Sequence, residues 1–200
     1  MLFRSRRGDL NVIVYENVPE FIALVEAVPG AVERGRAHGM RQYWIPRQGS
    51  LPPRFPGHQV SIASLSVSCA PEAMRYAQDG DAATRWECGP QTPAQAMTID
   101  LGTTKAVGAV VPALGVFVTD FPRELEVVTS IDGREWQPAW EGGVVPEVAE
   151  AMLEDPKGNR MVLAFPPRPA RFVKLQLTTH EPVWYWSIAE LEVWSGGSGP

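Results

Sequence analysis

Downstream of residue 59 the chain breaks into short β-prone runs separated by turn residues, and this spacing restricts its fold more than any other feature. The runs cover 60–67, 96–101, 106–111, 125–130, 161–165, 172–177 and 188–194. In 172–177 the apolar Phe172, Val173, Leu175 and Leu177 interleave with Lys174 and Gln176, the pattern of a strand with one wet face. Gly, Pro and Asp between the runs predict an antiparallel sandwich. Asp132-Gly133 is the sharpest hairpin signal, because glycine accepts the positive φ of a tight turn. No convincing ten-residue helical period interrupts the series.

With 200 residues and 44% hydrophobic side chains, the chain has enough material for one large domain, or for a domain with an appendage. Its formal net charge is −5, divided unevenly: residues 1–58 carry eight Arg against five acids, and residues 59–200 carry ten basic against eighteen acidic side chains. An acidic body without a Lys/Arg stripe argues against nucleic acid as a partner. The longest run without a polar residue, 106–118, contains Gly108, Pro112 and Gly115 and falls short of the eighteen or more residues a membrane helix needs. The basic amino terminus has no apolar segment of signal-peptide length behind it, so an export signal either lies upstream in a longer parent or never existed.

The charge change coincides with a stretch, 48–58, holding Gly49, Pro52, Pro53, Pro56 and Gly57, read as a connector. Before it, 11–15 reads as a strand and 20–28 as a second strand or a short helix ended by Pro29-Gly30. This is too little to close a core alone, so 1–58 is expected to pack on the larger unit or to end a preceding domain. Residues 59–195 form the main domain and 196–200 a flexible tail. The triplet Arg7-Gly8-Asp9 spells an integrin tripeptide and is discounted as a chance occurrence.

Cys69 and Cys88 stand 19 residues apart without a zinc-type cluster, and either one disulfide or two buried thiols fits them. The stretch 76–86 concentrates Asp79, Asp81, Gly80 and Thr84, oxygens of the kind a hard cation takes. It is not an EF-hand loop, since Pro90 stands where the distal Glu would be, and an ordinary Asx turn with solvated acids is the competing reading. His38, His58 and His180 are too scattered to suggest a metal trio. No nucleophile elbow, zinc-protease motif, phosphate loop or dinucleotide fingerprint occurs. Glu124, Glu126, Glu190 and Glu192 read as strand-borne scaffold or solvent groups before they read as a glycosidase pair, and the chain is expected not to be an enzyme.

Five motifs stand in a fixed order: Asp79-Gly80-Asp81-x-x-Thr84-Arg85-Trp86, Ile99-Asp100-Leu101-Gly102, Ser130-x-Asp132-Gly133-x-x-Trp136, Ala170-Arg171-Phe172-Val173-Lys174-Leu175, and Trp186-Ser187-Ile188-Ala189-Glu190-Leu191-Glu192-Val193. In this order, over roughly residues 59–195, the chain resembles a coagulation-factor type C, or discoidin, domain of the bacterial galactose-binding-like carbohydrate-module kind. The resemblance implies an all-β, eight-stranded antiparallel jelly-roll β-sandwich with a short N-terminal appendage and a non-catalytic binding role. It also implies a structural calcium, held by the Tyr76 carbonyl, the Asp79 side chain, the Asp81 carbonyl, the Thr84 hydroxyl and carbonyl, and Ala189-Glu190. Trp136 falls in a scaffold motif and is expected in the core, as is Trp186.

Sugar recognition stacks an aromatic ring on a pyranose face and binds hydroxyls with polar groups. Trp184 and Tyr185, with His180 and Glu181 nearby, supply that chemistry just before the last run. Arg85 and Arg123 join them as loop arginines, without a motif of their own. The expected ligand is a cell-surface or extracellular polysaccharide; the alternative is an accessory scaffold for other domains of a longer parent, binding no sugar. Phe117 and Phe121 sit where clotting-factor members dip into membranes, but the acidic chain lacks a basic collar and lipid is not expected. Residues 14–17 resemble the strand region before such modules in bacterial membrane glycosyltransferases, which with the family implies an extracellular, periplasmic or cell-surface location.

Overall fold

The computed structural model describes residues 2–4, 10–28, 30–45, 57–155 and 158–196. The Arg7-Gly8-Asp9 triplet, most of the Pro-rich connector and nearly all of the expected tail lie outside the described residues. Among those described, no helix is long and apolar enough to cross a membrane.

The first unit contains strands β1 (Leu2–Arg4) and β2 (Leu10–Tyr15), helix α1 (Pro19–Glu26), and strands β3 (Val32–Ala37) and β4 (Met40–Ile45). Its antiparallel sheet runs β1-β2-β4-β3. Alternation points Val12, Val14, Tyr43 and Ile45 inward, where Ile22 and Val25 of α1 cover them. The segment 20–28 thus resolves into the helix, opened by Pro19 in its first turn. Strand β3 escaped the sequence reading for a physical reason: all six of its residues are exposed, so no apolar alternation marks it.

The main unit follows as β5 (Gln59–Val60), β6 (Ser64–Val67), a 3₁₀ helix (Pro71–Gln78), β7 (Trp86–Gln91), β8 (Ala96–Ala113), β9 (Glu124–Ser130) and β10 (Gln137–Gly143). Helix α2 (Val145–Glu154), β11 (Leu163–Leu177), β12 (Glu181–Ile188) and β13 (Glu190–Ser195) complete it. The large sheet is ordered β10-β9-β11-β8-β13-β5, with β6 also on β8, and β12-β7 forms a separate ribbon. All pairings are antiparallel, as the sandwich reading requires.

The described strands of this unit number nine, the two-residue β5 included, where eight are expected. Runs read separately at 96–101 and 106–111 are the two ends of β8, joined through the exposed stretch 102–106. The ends take different neighbours: β6 pairs with 97–100 and β13 with 107–113. The ribbon closes over the sheet through Trp86 and Trp186, both fully buried and packed edge to face with centroids 4.9 Å apart. Cys69 and Cys88 form a disulfide, with Cα atoms 5.8 Å apart, and the Cys69 carbonyl accepts the Trp86 indole N–H.

Two expectations are corrected. A ten-residue helix, α2, does interrupt the β series: Val144, Val148 and Ala151 recur at helical spacing and are buried, but Glu147 and Glu150 leave the apolar stripe too short to stand out in the sequence. The helix joins the two units, since Val148 and Met152 pack in the sandwich core while Leu153 packs against the first unit's core. Trp136, expected in the core, is only half-buried; its ring lies 4.2 Å from the Lys174 ammonium at the surface. Its hairpin forms as expected, with Gly133 at φ +74° and Asp132 accepting the N–H groups of Arg134 and Glu135.

Candidate functional site

The 3₁₀ helix ends at Asp79, and Gly80 at φ +80° turns the chain back on itself. Asp79 Oδ1 accepts the Asp81 N–H at 2.9 Å, and its Oδ2 accepts the Thr84 hydroxyl at 2.7 Å. The Asp81 carbonyl accepts both the hydroxyl and the N–H of Thr84 at 3.0 Å, while the Asp81 side chain caps the Ala83 N–H. These bonds hold the Asp79 carboxyl below the usual carboxylate range, the Asp81 N–H contributing most.

Glu190, at the start of β13, meets this loop. Burial pushes its carboxyl up; the Gly80 N–H opposes that, and the neighbouring Asp79 charge adds to it. Its Oε1 is buried without a hydrogen-bond partner. Ala189 beside it is buried and fastened to the Ala113 carbonyl. Tyr76 is half-buried, its hydroxyl accepting from Arg75. Among the described residues no three of His, Cys, Asp and Glu gather in one metal-binding cluster. A cation here would therefore be held by two carboxylates, Asp79 and Glu190, with hydroxyl and carbonyl oxygens completing the shell. The orphaned Glu190 oxygen and the Asp79–Glu190 pairing fit such an ion.

This loop abuts the next one. The Ala82 carbonyl accepts the Val116 N–H, and a Cβ on Gly115, which sits at φ +57°, would lie 2.1 Å from that carbonyl oxygen. Beyond Gly115 the loop 116–123 leads to a second cluster. Arg85 bridges Asp120, at 2.5 Å, and Glu87, and its guanidinium lies 4.0 Å from the Phe117 ring. Asp120 is buried, and its backbone carbonyl accepts the Ser187 N–H of β12.

Arg123 lies 3.8 Å from the Phe121 ring centroid and 5.4 Å from that of Trp184. Its Nη1 is buried without a hydrogen-bond partner, and Nη2 reaches the Thr119 carbonyl at 3.4 Å. Burial lowers its pKa from the ordinary value, while Glu181 and Asp120 favour its charge. Glu181 Oε1 accepts the N–H groups of Val183 and Trp184, fixing the turn that presents Trp184 and Tyr185, which are 43% and 40% exposed. His180 is exposed at the entry to β12, at the same edge.

Two buried groups that sequence reasoning did not single out organise this end. Gln91 donates to the carbonyls of Phe121 and Tyr185 and accepts the Arg123 N–H, and Asp120 anchors Arg85. Neither carries a local signal; each is legible only once β7 and β12 are known to pair, with Gln91 opposite Glu181. Phe117 and Phe121, weighed as membrane-dipping side chains, each lie under an arginine. Glu124 and Glu126 on β9 are three strand positions from Glu190 and Glu192 on β13, and the register sets Glu126, through Gln176, level with Ala96 of β8 while Glu190 opposes Ala113 at its other end. The carboxyls of a glycosidase pair stand about 5–9.5 Å apart.

Residues 63–191 match the model of the F5/8 type C domain. No curated protein sequence matches the chain significantly. Among solved structures, truncated AlyQ, which has a CBM32 and an alginate lyase domain, superposes with TM-score 0.56 at 19% identity; the match covers 72% of this chain and 34% of that one. The isolated AlyQ CBM32, in complex with 4,5-unsaturated mannuronic acid, gives 0.54 at 19% identity over 68% of this chain and 97% of that one. The family 32 module of NanJ from C. perfringens, in complex with galactose, gives 0.52 at 20% identity over 66% and 93%. Likeness at these identities speaks to the fold, a galactose-binding-like β-sandwich. The chain spans about a third of the truncated AlyQ structure.

Proposed function

The chain belongs to the F5/8 type C (discoidin) domain family, and from that premise we propose that it is a non-catalytic carbohydrate-binding module whose ligand lies on the loops around Trp184. One observation carries the reading: an indole 43% exposed at the end of the sandwich, held in place by Arg123 and by the Glu181 cap. An exposed aromatic ring that is already immobilised offers a stacking surface at little further entropic cost. Tyr185 extends that surface, and His180 and the Thr119 hydroxyl supply hydrogen-bonding groups at its edge. Arg123 supports the site through its contact with Trp184, and Arg85 holds the adjoining loop through Asp120 and Phe117.

A structural calcium at Asp79, the Asp81 carbonyl, Thr84 and Glu190, with the Tyr76 carbonyl and Ala189 alongside, is part of this reading. The ion would tie the exit of the 3₁₀ helix to the last strand and add stability, not chemistry. The disulfide supports an extracellular, periplasmic or cell-surface location, where such bonds persist. The wider partners are a polysaccharide and other domains of a longer parent.

The test is binding of the calcium-loaded protein to a broad glycan and polysaccharide array, beside Trp184→Ala and Tyr185→Ala variants shown to be folded by thermal melting. Binding by the parent with at least a ten-fold loss in Trp184→Ala supports both function and site. Binding retained by both variants moves the site elsewhere. Failure of the parent to bind any glycan overturns the reading in favour of a scaffold role.

A further inference from the structure

A carboxylate-bearing sugar is best held by a cation with free and accessible donors, and neither arginine at this end offers them: Arg85 is ion-paired and Arg123 is closed in. Arg85 spans Asp120 and Glu87. Arg123 is sandwiched between Phe121 and Trp184, with Nη1 buried, Nη2 turned to the Thr119 carbonyl, and Glu181 and Asp120 favouring its charge. The loops at this end thus carry two arginines against three carboxylates, Asp120, Glu87 and Glu181, on a unit that is itself acidic.

We propose that the Trp184 site selects uncharged sugars and rejects uronates, with Asp120, Glu87 and Glu181 as the specificity-determining residues: the first two occupy Arg85, and Glu181 adds a negative charge beside Trp184, where the Arg123 Nη1 is buried out of a ligand's reach. The inference rests on the carbohydrate-binding reading above and names the ligand class of that site. An uncharged pyranose meets only the aromatic face and neutral polar groups. A uronate meets a net negative field and finds Arg85 paired and the unpartnered Arg123 Nη1 buried, so like-charge repulsion acts against it. The AlyQ module, with the same fold, is seen with a uronic acid, so the discrimination belongs to the loop side chains and not to the sandwich.

The test titrates the protein with neutral galacto- and gluco-oligosaccharides and with oligogalacturonate and oligomannuronate, following tryptophan fluorescence at low and high NaCl. Neutral oligomers should bind at least about ten-fold tighter at low salt, and the gap should narrow as salt screens the repulsion. Glu181→Gln keeps an amide oxygen to cap Val183 and Trp184 while removing one negative charge, and should raise uronate affinity on the order of five-fold. Uronate binding equal to or tighter than neutral binding, weakening with salt, would overturn the inference and leave the carbohydrate function standing. An unchanged preference in a folded Glu181→Gln variant removes Glu181 from the determinants and overturns the charge argument. Binding of neither class overturns the carbohydrate reading itself, and this inference with it.

Discussion

The Gln91 side-chain oxygen accepts the backbone N–H of Arg123 at 2.9 Å across 32 residues of sequence. Its amide nitrogen donates to the carbonyls of Phe121 and Tyr185, each at 3.0 Å, so one fully buried side chain ties β7 to both loops that shape the candidate site. Inside a protein, a main-chain group stripped of its partner costs more than the bond contributed, because water does not replace it. Gln91→Ala strands two carbonyls and one N–H, and should cost about 2–4 kcal/mol. At roughly 2–4 °C per kcal/mol for a chain of this size, the melting temperature should fall by roughly 5–15 °C. Glycan affinity should fall as well, even at temperatures where the variant is fully folded, since Arg123 and Tyr185 lose their shared anchor. Calorimetry and a binding titration on the same sample check the two effects separately.

How far sequence reasoning reached depended on where the physical signal lay. The sandwich was legible because its strands carry their own alternation and turns, as at Phe172–Leu177 and at Asp132-Gly133. Helix α2 was not, because its apolar stripe is short and what stabilises it is burial between two cores. Trp184 and Trp186 could be assigned opposite fates from their distance to the last strand, and the structure places one exposed and the other buried. The Arg85–Asp120 and Arg123–Trp184 contacts were out of reach, because they depend on long-range pairing of loops that no local pattern encodes.

Acid should probe a contact far from the site. Arg171 Nε and Nη2 donate to the two oxygens of Asp100, each at 2.9 Å, joining β11 to the first half of β8. Arg171, followed by the Gly102 N–H, holds the Asp100 carboxyl below the usual carboxylate range. For a carboxyl whose pKa is lower in the folded chain, the contribution to stability is fully present above its unfolded value, about 3.9. It is lost as pH falls through the folded value. Asp100→Asn should therefore be less stable than the parent at pH 6, and the two denaturation midpoints should converge as pH is lowered below about 4. A midpoint difference that persists undiminished at low pH would mean that Asp100 acts by packing and not by its charge.

Glu190 has the opposite sign, and that makes it the diagnostic residue for the cation. Burial raises its pKa in the folded chain, so its favourable contribution is fully present below its unfolded value, about 4.3, and is lost as pH rises through the folded value. In chelator, above that folded value, the charged side chain is a liability, with Oε1 buried and without a partner and the Asp79 charge beside it. Glu190→Gln removes that charge, and in chelator at pH 7 it should melt no lower than the parent. Calcium should reverse the order: the parent should gain about 2.7 kcal/mol at a hundred-fold excess over Kd, while the variant, having lost one of two carboxylate ligands, should gain far less. Melting curves of both proteins, with chelator and across a calcium series, give the comparison directly. Equal melting temperatures for the parent with and without calcium would remove the ion from this loop and leave Asp79, Asp81 and Thr84 as a self-capped turn.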